Sequence, residues 1–310
     1  MGDGAAILIT GAGGFTGRHA SRRFAAKGYR VFAVVRSEAG LPAIQGVQYM
    51  VCDLTDKAAV RRTIDRTRPR YVLHLGGKNS VPDSWSAPLL YMESNLMTTL
   101  YLLDALQSCG LGETRILVAG SRLKFGLERP LRPTHPYGLS KSLQEAAALA
   151  WGKLFRLGVL IAEPGNLVGA GPSTGICALL ARHIVRLERG EASPPFRLSS
   201  ADARRDFLDV RDAVDAYEIL LRQGEIGEVY PVCSGRERSL AELVEDFAQL
   251  TDVGDLNIQI GPPAGDGAVP SAEPPIPEAL WALGWRAGVA WERSLQEVLD
   301  YFRKEGTASS

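Results

Sequence analysis

Five apolar residues, Ala5-Ala6-Ile7-Leu8-Ile9, run straight into Thr10-Gly11-Ala12-Gly13-Gly14-Phe15-Thr16-Gly17 near the start of the chain. An apolar run of this kind reads as a buried strand, and glycines at 11, 14 and 17 suit a strand that turns sharply into a helix beside a pyrophosphate. One glycine permits the turn, one lets backbone approach phosphate, and one lets the helix pack on the strand. A helix over about Phe15 to Lys27 and a second strand at Val31-Phe32-Ala33-Val34-Val35 complete a βαβ unit. The pattern therefore predicts a dinucleotide site rather than an isolated glycine turn.

At the tip of that second strand an acid would hold a ribose 2′-hydroxyl, whereas this chain has Arg36-Ser37, with Arg18 just past the third glycine. Two guanidiniums suit a 2′-phosphate, so NADP(H) is expected in preference to NAD(H). The competing reading makes both arginines ordinary surface cations.

With 310 residues, 45% of them hydrophobic, the chain can bury one large core or two smaller ones. Its 35 basic and 35 acidic residues cancel, which leaves no net field to draw in nucleic acid or an anionic membrane. No apolar stretch approaches the ~18 residues of a membrane span. Met1-Gly2 opens like a myristoylation signal, but Ala6 occupies the Ser/Thr position. Cys52, Cys109, Cys177 and Cys233 are scattered without a CxxC pair, which speaks against zinc and for a reducing compartment, hence a cytoplasmic location.

Strands and helices alternate after the first unit. Strands are predicted at Gln48–Cys52, Tyr71–Leu75, Arg115–Ala119 and Val159–Ala162, and helices at about Lys57–Thr67, Leu89–Ser108 and Tyr137–Phe155. This alternation implies an α/β fold with a doubly wound parallel (Rossmann) sheet. Past Pro164 proline and glycine become dense, most of all over 261–277, as expected of a smaller α/β substrate lid region. The expected division is 1–168 for the dinucleotide domain and 169–310 for the substrate region, with 206–223 packing back on the former.

Tyr137 and Lys141, four apart in Tyr137-Gly138-Leu139-Ser140-Lys141, share one face of a predicted helix. A lysine there favours phenolate, and bringing a phenol of pKa about 10 near neutrality requires roughly 4 kcal/mol of differential stabilisation. Ser121, just beyond a strand, adds a hydroxyl at the carboxyl edge of the sheet, where ligands bind. His74 ends an apolar strand and reads as a satisfied core histidine, with no metal constellation around it. Trp281, Trp285 and Trp291 read as lid core.

Thr10 to Gly17, Cys52-Asp53-Leu54, His74-Leu75, Ser121, Tyr137 to Lys141 and Pro164-Gly165-Asn166 together resemble the extended short-chain dehydrogenase/reductase family in its nucleotide-sugar branch. Ser80-Val81-Pro82-Asp83-Ser84-Trp85, Pro88, Asn95, Arg204 to Asp212 and Leu283-Gly284-Trp285 are similar to the GDP-mannose dehydratase and GDP-4-keto-6-deoxymannose reductase group. The resemblance implies a catalytic triad of Ser121, Tyr137 and Lys141. It implies cofactor contacts from Gly11, Gly14, Phe15, Thr16, Gly17 and Arg18, from Arg36 and Ser37, and from Asp53 and Leu54 at the adenine. Leu75, Gly76 and Pro164, with Tyr137 and Lys141, complete that set. Ser80, Val81, Ser121, Asn166 and Arg205 are implied for the substrate, a nucleotide-linked sugar.

Dehydratases of that group need an acid soon after the triad hydroxyl, and this chain reads Ser121-Arg122-Leu123-Lys124-Phe125-Gly126. Reduction of a 4-keto sugar is therefore favoured. A 4-epimerase with tightly held NAD uses the same three residues and stays open, as does a non-catalytic dinucleotide-binding regulator. The chain departs from its relatives at Ser199-Ser200-Ala201, at Tyr230-Pro231, and in having no arginine between Gly261 and Pro270 to meet a diphosphate. Arg205 then remains the main candidate, against a reading in which these arginines merely neutralise Asp209 and Asp212. Relatives pair through two helices, and here both are apolar on more than one face, with Leu96, Leu100, Leu103, Leu106, Leu143, Ala147, Leu149 and Ala150; one face covers the sheet, and the surplus predicts a homodimer through 89–108 and 137–155, the alternative being packing beneath the lid.

Overall fold

The computed structural model describes residues 4–198, 200–261 and 276–307, so Ser199 and most of the 261–277 stretch lie outside the described residues. Two compact units divide the chain: one is Met1–Pro164, Val214–Val232 and Ala279–Trp285, the other Gly165–Ala213, Cys233–Glu278 and Arg286–Ser310.

In the first unit the chain alternates β1 (Ala6–Thr10), α1 (Phe15–Ala26), β2 (Arg30–Val35), β3 (Val47–Val51), α2 (Lys57–Thr67) and β4 (Tyr71–His74). There follow α3 (Val81–Ser86), α4 (Pro88–Tyr91), a π-helical turn (Met92–Met97), α5 (Thr98–Ser108), β5 (Arg115–Ala119), α6 (Pro136–Phe155) and β6 (Gly158–Pro164). A seventh strand, Val229–Val232, lies beside β6, giving a parallel sheet in which β3, β2, β1, β4, β5, β6 and this strand follow one another. Strand order reverses between β1 and β4, so their carboxyl ends open the crevice where such sheets bind ligands. The middle of the sheet is apolar, with Ile7, Ile9, Val72, Leu73, Ile116, Leu117 and Leu160 fully buried, and the polar Thr10 and His74 are buried at the ends of β1 and β4.

Local chemistry sets the helix ends. Asp56 caps α2 by accepting from the amides of Ala58 and Ala59, and Arg68 closes it in the left-handed region. His135 caps α6 and Pro136 follows at the first helical position. The single helix expected over Leu89 to Ser108 is instead α4, the π-helical turn and α5. The widened turn carries Asn95 fully buried, its amide donating to the Lys78 carbonyl at 3.0 Å and to Ser140 Oγ at 2.9 Å. Leu103 and Leu106 belong to the face that covers the sheet, buried in the core with Leu8, Val72 and Ile116. The exposed apolar side chains of these helices are Leu89, Leu90, Leu154 and Phe155. Trp281 and Trp285 belong to the first unit rather than joining Trp291 in a lid core.

The second unit contains β7 (Asn166–Val168), α7 (Ile176–Glu188), β8 (Phe196–Leu198) and β9 (Arg204–Asp209), with β9 paired parallel to β7. Its core is built from Leu180, Ile184, Leu243, Phe247, Leu295 and Leu299. Among the described residues no helix is long and apolar enough to cross a membrane.

Candidate active site at the carboxyl edge of the sheet

Gly11 sits at φ +65°, and a Cβ there would lie 2.8 Å from the Leu75 carbonyl carbon. One on Gly17 would meet the Gly11 carbonyl oxygen at 2.2 Å, and one on Gly76 would meet Leu54 at 2.6 Å. Gly11, Gly17, Leu54, Leu75 and Gly76 are thus brought together at the ends of β1 and β4, packed too closely to admit a Cβ on any of the three glycines. Gly14 caps α1, leaving the first amides of Phe15 and Thr16 directed outward from a helix start. Arg18 donates from Nε to the Gly13 carbonyl at 2.9 Å, while Arg36 and Ser37 are exposed just past β2. Asp53 accepts at one oxygen from the backbone and hydroxyl of Thr55, and these bonds, with Arg36 nearby, hold its carboxyl below the usual range.

Ser121 follows β5, and Tyr137 and Lys141 lie one turn apart on α6. Tyr137 is buried within the influence of Ser121, whose Oγ accepts from the Leu123 amide at 3.1 Å. Lys141 is buried one turn on, its Nζ donating to the Ala119 carbonyl and to Gln144 Oε1, each at 2.6 Å. Burial pushes Lys141 down to about 8, although Glu145 works the other way. Burial pushes Tyr137 up, and the influence that works downward on it is Ser121. In the absence of a bound charge the phenol is a retained acid.

The segment after Ser121 is pinned from behind. Lys124 Nζ lies 2.5 Å from Glu145 Oε1 and 2.6 Å from Glu163 Oε1. Burial opposes its charge, yet the two carboxylates hold it above the ordinary lysine value. Two residues that sequence reasoning missed are His135, stacked on Tyr137, and Gln144. The Pro-Tyr following His135 was the available signal for the first, since a polar residue before proline is a helix-start pattern; nothing local signals the second.

Other expected residues have local partners of their own. Ser80 caps α3 by accepting from Asp83 at 3.3 Å, and Val81 opens that helix. Pro164 ends β6. Asn166 is exposed in the second unit and donates to the Asp206 carbonyl at 3.0 Å. Arg205 is exposed and donates to the Arg204 carbonyl at 2.8 Å, so it is not the group that neutralises the nearby acids. Arg211 holds Asp209 at 2.8 Å, and Asp212 accepts from the Gly288 and Val289 amides.

Residues 7–233 match the family model of the NAD dependent epimerase/dehydratase family, nearly three quarters of the chain. The chain belongs to that family. Members are enzymes of the short-chain dehydrogenase/reductase type that bind a nicotinamide dinucleotide. Among its relatives is a GDP-6-deoxy-D-mannose reductase of Pseudomonas aeruginosa, 36% identical over 195 residues. That alignment covers 60% of this chain and 64% of the relative, so the match spans under two thirds of the relative's length. RMD from the same organism, solved with NADPH, superposes with a TM-score of 0.80 at 28% identity, covering 98% of this chain and 99% of RMD. A Thermus thermophilus UDP-glucose 4-epimerase solved with NAD gives 0.79 at 25% identity, covering 96% and 99%.

Proposed function

We propose that the protein is an NADP(H)-dependent reductase of a nucleotide-linked 4-keto-6-deoxy sugar. One observation carries the reading: Ser121, Tyr137 and Lys141 form a site whose following segment, Arg122 to Gly126, has no carboxylate, while Lys124 occupies Glu145 and Glu163. A 4,6-dehydration needs an acid there. The likeness to a GDP-6-deoxy-D-mannose reductase and to RMD with NADPH supports the same reading.

Gly11, Gly14, Gly17 and Gly76 would admit the pyrophosphate, with the Phe15 and Thr16 amides facing it. Arg18, Arg36 and Ser37 would meet a 2′-phosphate, and Asp53 and Leu54 the adenine. A bound nicotinamide supplies hydride. Tyr137 donates its proton to the ketone oxygen, Ser121 holds that oxygen by hydrogen bond, and Lys141 keeps positive charge beside the phenol. A phenol whose proton is held by burial suits the donating direction. In the second unit, Asn166 and Arg205 are assigned to the sugar and its diphosphate on the resemblance alone.

The test is NADPH consumption with 4-keto-6-deoxy sugars carried on GDP, UDP, CDP and dTDP. Oxidation with one or more supports the reading, and oxidation with none sinks it. A 4-epimerase is the second reading, favoured by the fold shared with the Thermus enzyme; stoichiometric NAD released from the purified protein would select it.

A further inference from the structure

Behind Lys141 runs a buried chain of hydrogen bonds whose directions can be assigned one after another. Thr99 Oγ1 lies 2.7 Å from the Asn95 carbonyl, which can only accept, so the Thr99 proton is committed there. The same oxygen must therefore accept from Gln144 Nε2 at 2.8 Å and from His74 Nε2 at 2.9 Å. With its proton on Nε2, neutral His74 accepts at Nδ1 from the Thr10 hydroxyl at 2.7 Å, and Thr10 in turn accepts from the Gly76 amide at 3.0 Å. Thr10, His74 and Thr99 are each under 3% exposed, as is Gln144. With its NH2 end turned to Thr99, the Gln144 carboxamide has its oxygen left for Lys141 at 2.6 Å.

We propose that Gln144 is a positioning residue for Lys141, and that Thr10, His74 and Thr99 fix which end of its carboxamide the lysine meets. This rests on the reading of Lys141 as part of the site. The reversed amide would put an oxygen against the Thr99 lone pairs and an NH2 against the ammonium, so one orientation alone satisfies all the groups. The chain also joins Gly76, in the glycine cluster at the ends of β1 and β4, to the lysine. The charged and titratable groups that act on Lys141 or feel its charge are Glu145 on α6 and His74 on β4, with Lys124 and Glu163 beyond Glu145; from β5 the Ala119 carbonyl accepts from the ammonium. The direct side-chain partner of the ammonium is the neutral amide of Gln144, while Glu145 gives one oxygen to Lys124 and keeps the other buried without a hydrogen-bond partner.

The test reads Lys141 directly. In protein labelled with 15N-lysine, its ammonium is assigned by difference from Lys141→Arg and titrated by NMR in wild type, Gln144→Met, Gln144→Glu and Thr99→Val. An acceptor stabilises the charged form, so Gln144→Met should move the midpoint below the wild-type value. Gln144→Glu should move it above. Thr99→Val, which frees the carboxamide to turn, should shift it in the direction of Gln144→Met by less. kcat should fall about tenfold in Gln144→Met, the scale of one neutral hydrogen bond, with NADPH affinity retained. Midpoints that coincide with wild type in folded Gln144→Glu and Thr99→Val overturn the proposal, even where Gln144→Met does not fold. Full turnover by Tyr137→Phe would instead overturn the proposed chemistry and leave the titration result standing.

Discussion

The imidazole of His135 lies flat against the phenol of Tyr137, ring centroids 5.9 Å apart and planes inclined by 14°. Its Nδ1 accepts the Gly138 amide at 2.8 Å, so one ring both caps α6 and walls the residue assigned as proton donor. Burial holds its pKa below the ordinary histidine value. The unfolded chain therefore takes up the proton first, and the cap's contribution, present above the unfolded value of about 6.5, declines as pH falls below it. His135→Ala should lose about 1 kcal/mol in urea unfolding, and His135→Asn, which keeps an N-cap acceptor, should recover most of it. Equal stability of wild type and His135→Ala would show that the cap contributes nothing.

Acid stability is assigned chiefly to His74. It is fully buried in its chain of hydroxyls, and burial together with the Lys141 charge pushes it down to about 3. The folded pKa lies below the unfolded one, so the unfolded state binds the extra proton and stability falls as pH drops from about 6.5 toward 3. The loss is on the order of 4 kcal/mol at the low end of that window. His74→Asn, which retains a donor and an acceptor, should flatten this limb in unfolding measured across pH; an unchanged slope would place the acid sensitivity elsewhere.

Cofactor choice is put to Arg36 and Arg18. NADPH should bind more tightly than NADH in fluorescence titrations, and Arg36→Ala should weaken NADPH alone. One charge-assisted contact is worth about 1.5–3 kcal/mol, so the loss should be roughly 10- to 100-fold. Tighter binding of NADH by the wild type would reverse the assignment.

Proton donation is put to Tyr137. On any keto sugar that the wild type reduces, Tyr137→Phe should lower kcat by about 100-fold or more while NADPH still binds. Retention of more than a few per cent of the rate would locate the donor in another group.

Exposed Leu89, Leu90, Leu154 and Phe155 lie on the helices expected to pair two copies. Light scattering at micromolar concentration should return a dimer's mass, and Leu89→Glu with Leu154→Glu should halve it. A wild-type monomer refutes the pairing.

Sequence alone determined what depends on local pattern. Period and composition located β1, α2, β5 and α6 to within a residue or so, because each is set by a short apolar run, a cap or a breaker within its own segment. The turn at Gly11 and the shared face of Tyr137 and Lys141 were legible for the same reason. Tertiary structure alone decided matters that need partners far along the chain. The π-helical turn in what reads as one long helix exists because Asn95 reaches Lys78 and Ser140, 17 and 45 residues away. The pKa directions of Tyr137 and Lys141 follow from burial, which no motif encodes. Gln144 looks like any polar helical residue until Thr99 and His74, brought beside it by the sheet and its crossovers, settle which way its amide must face.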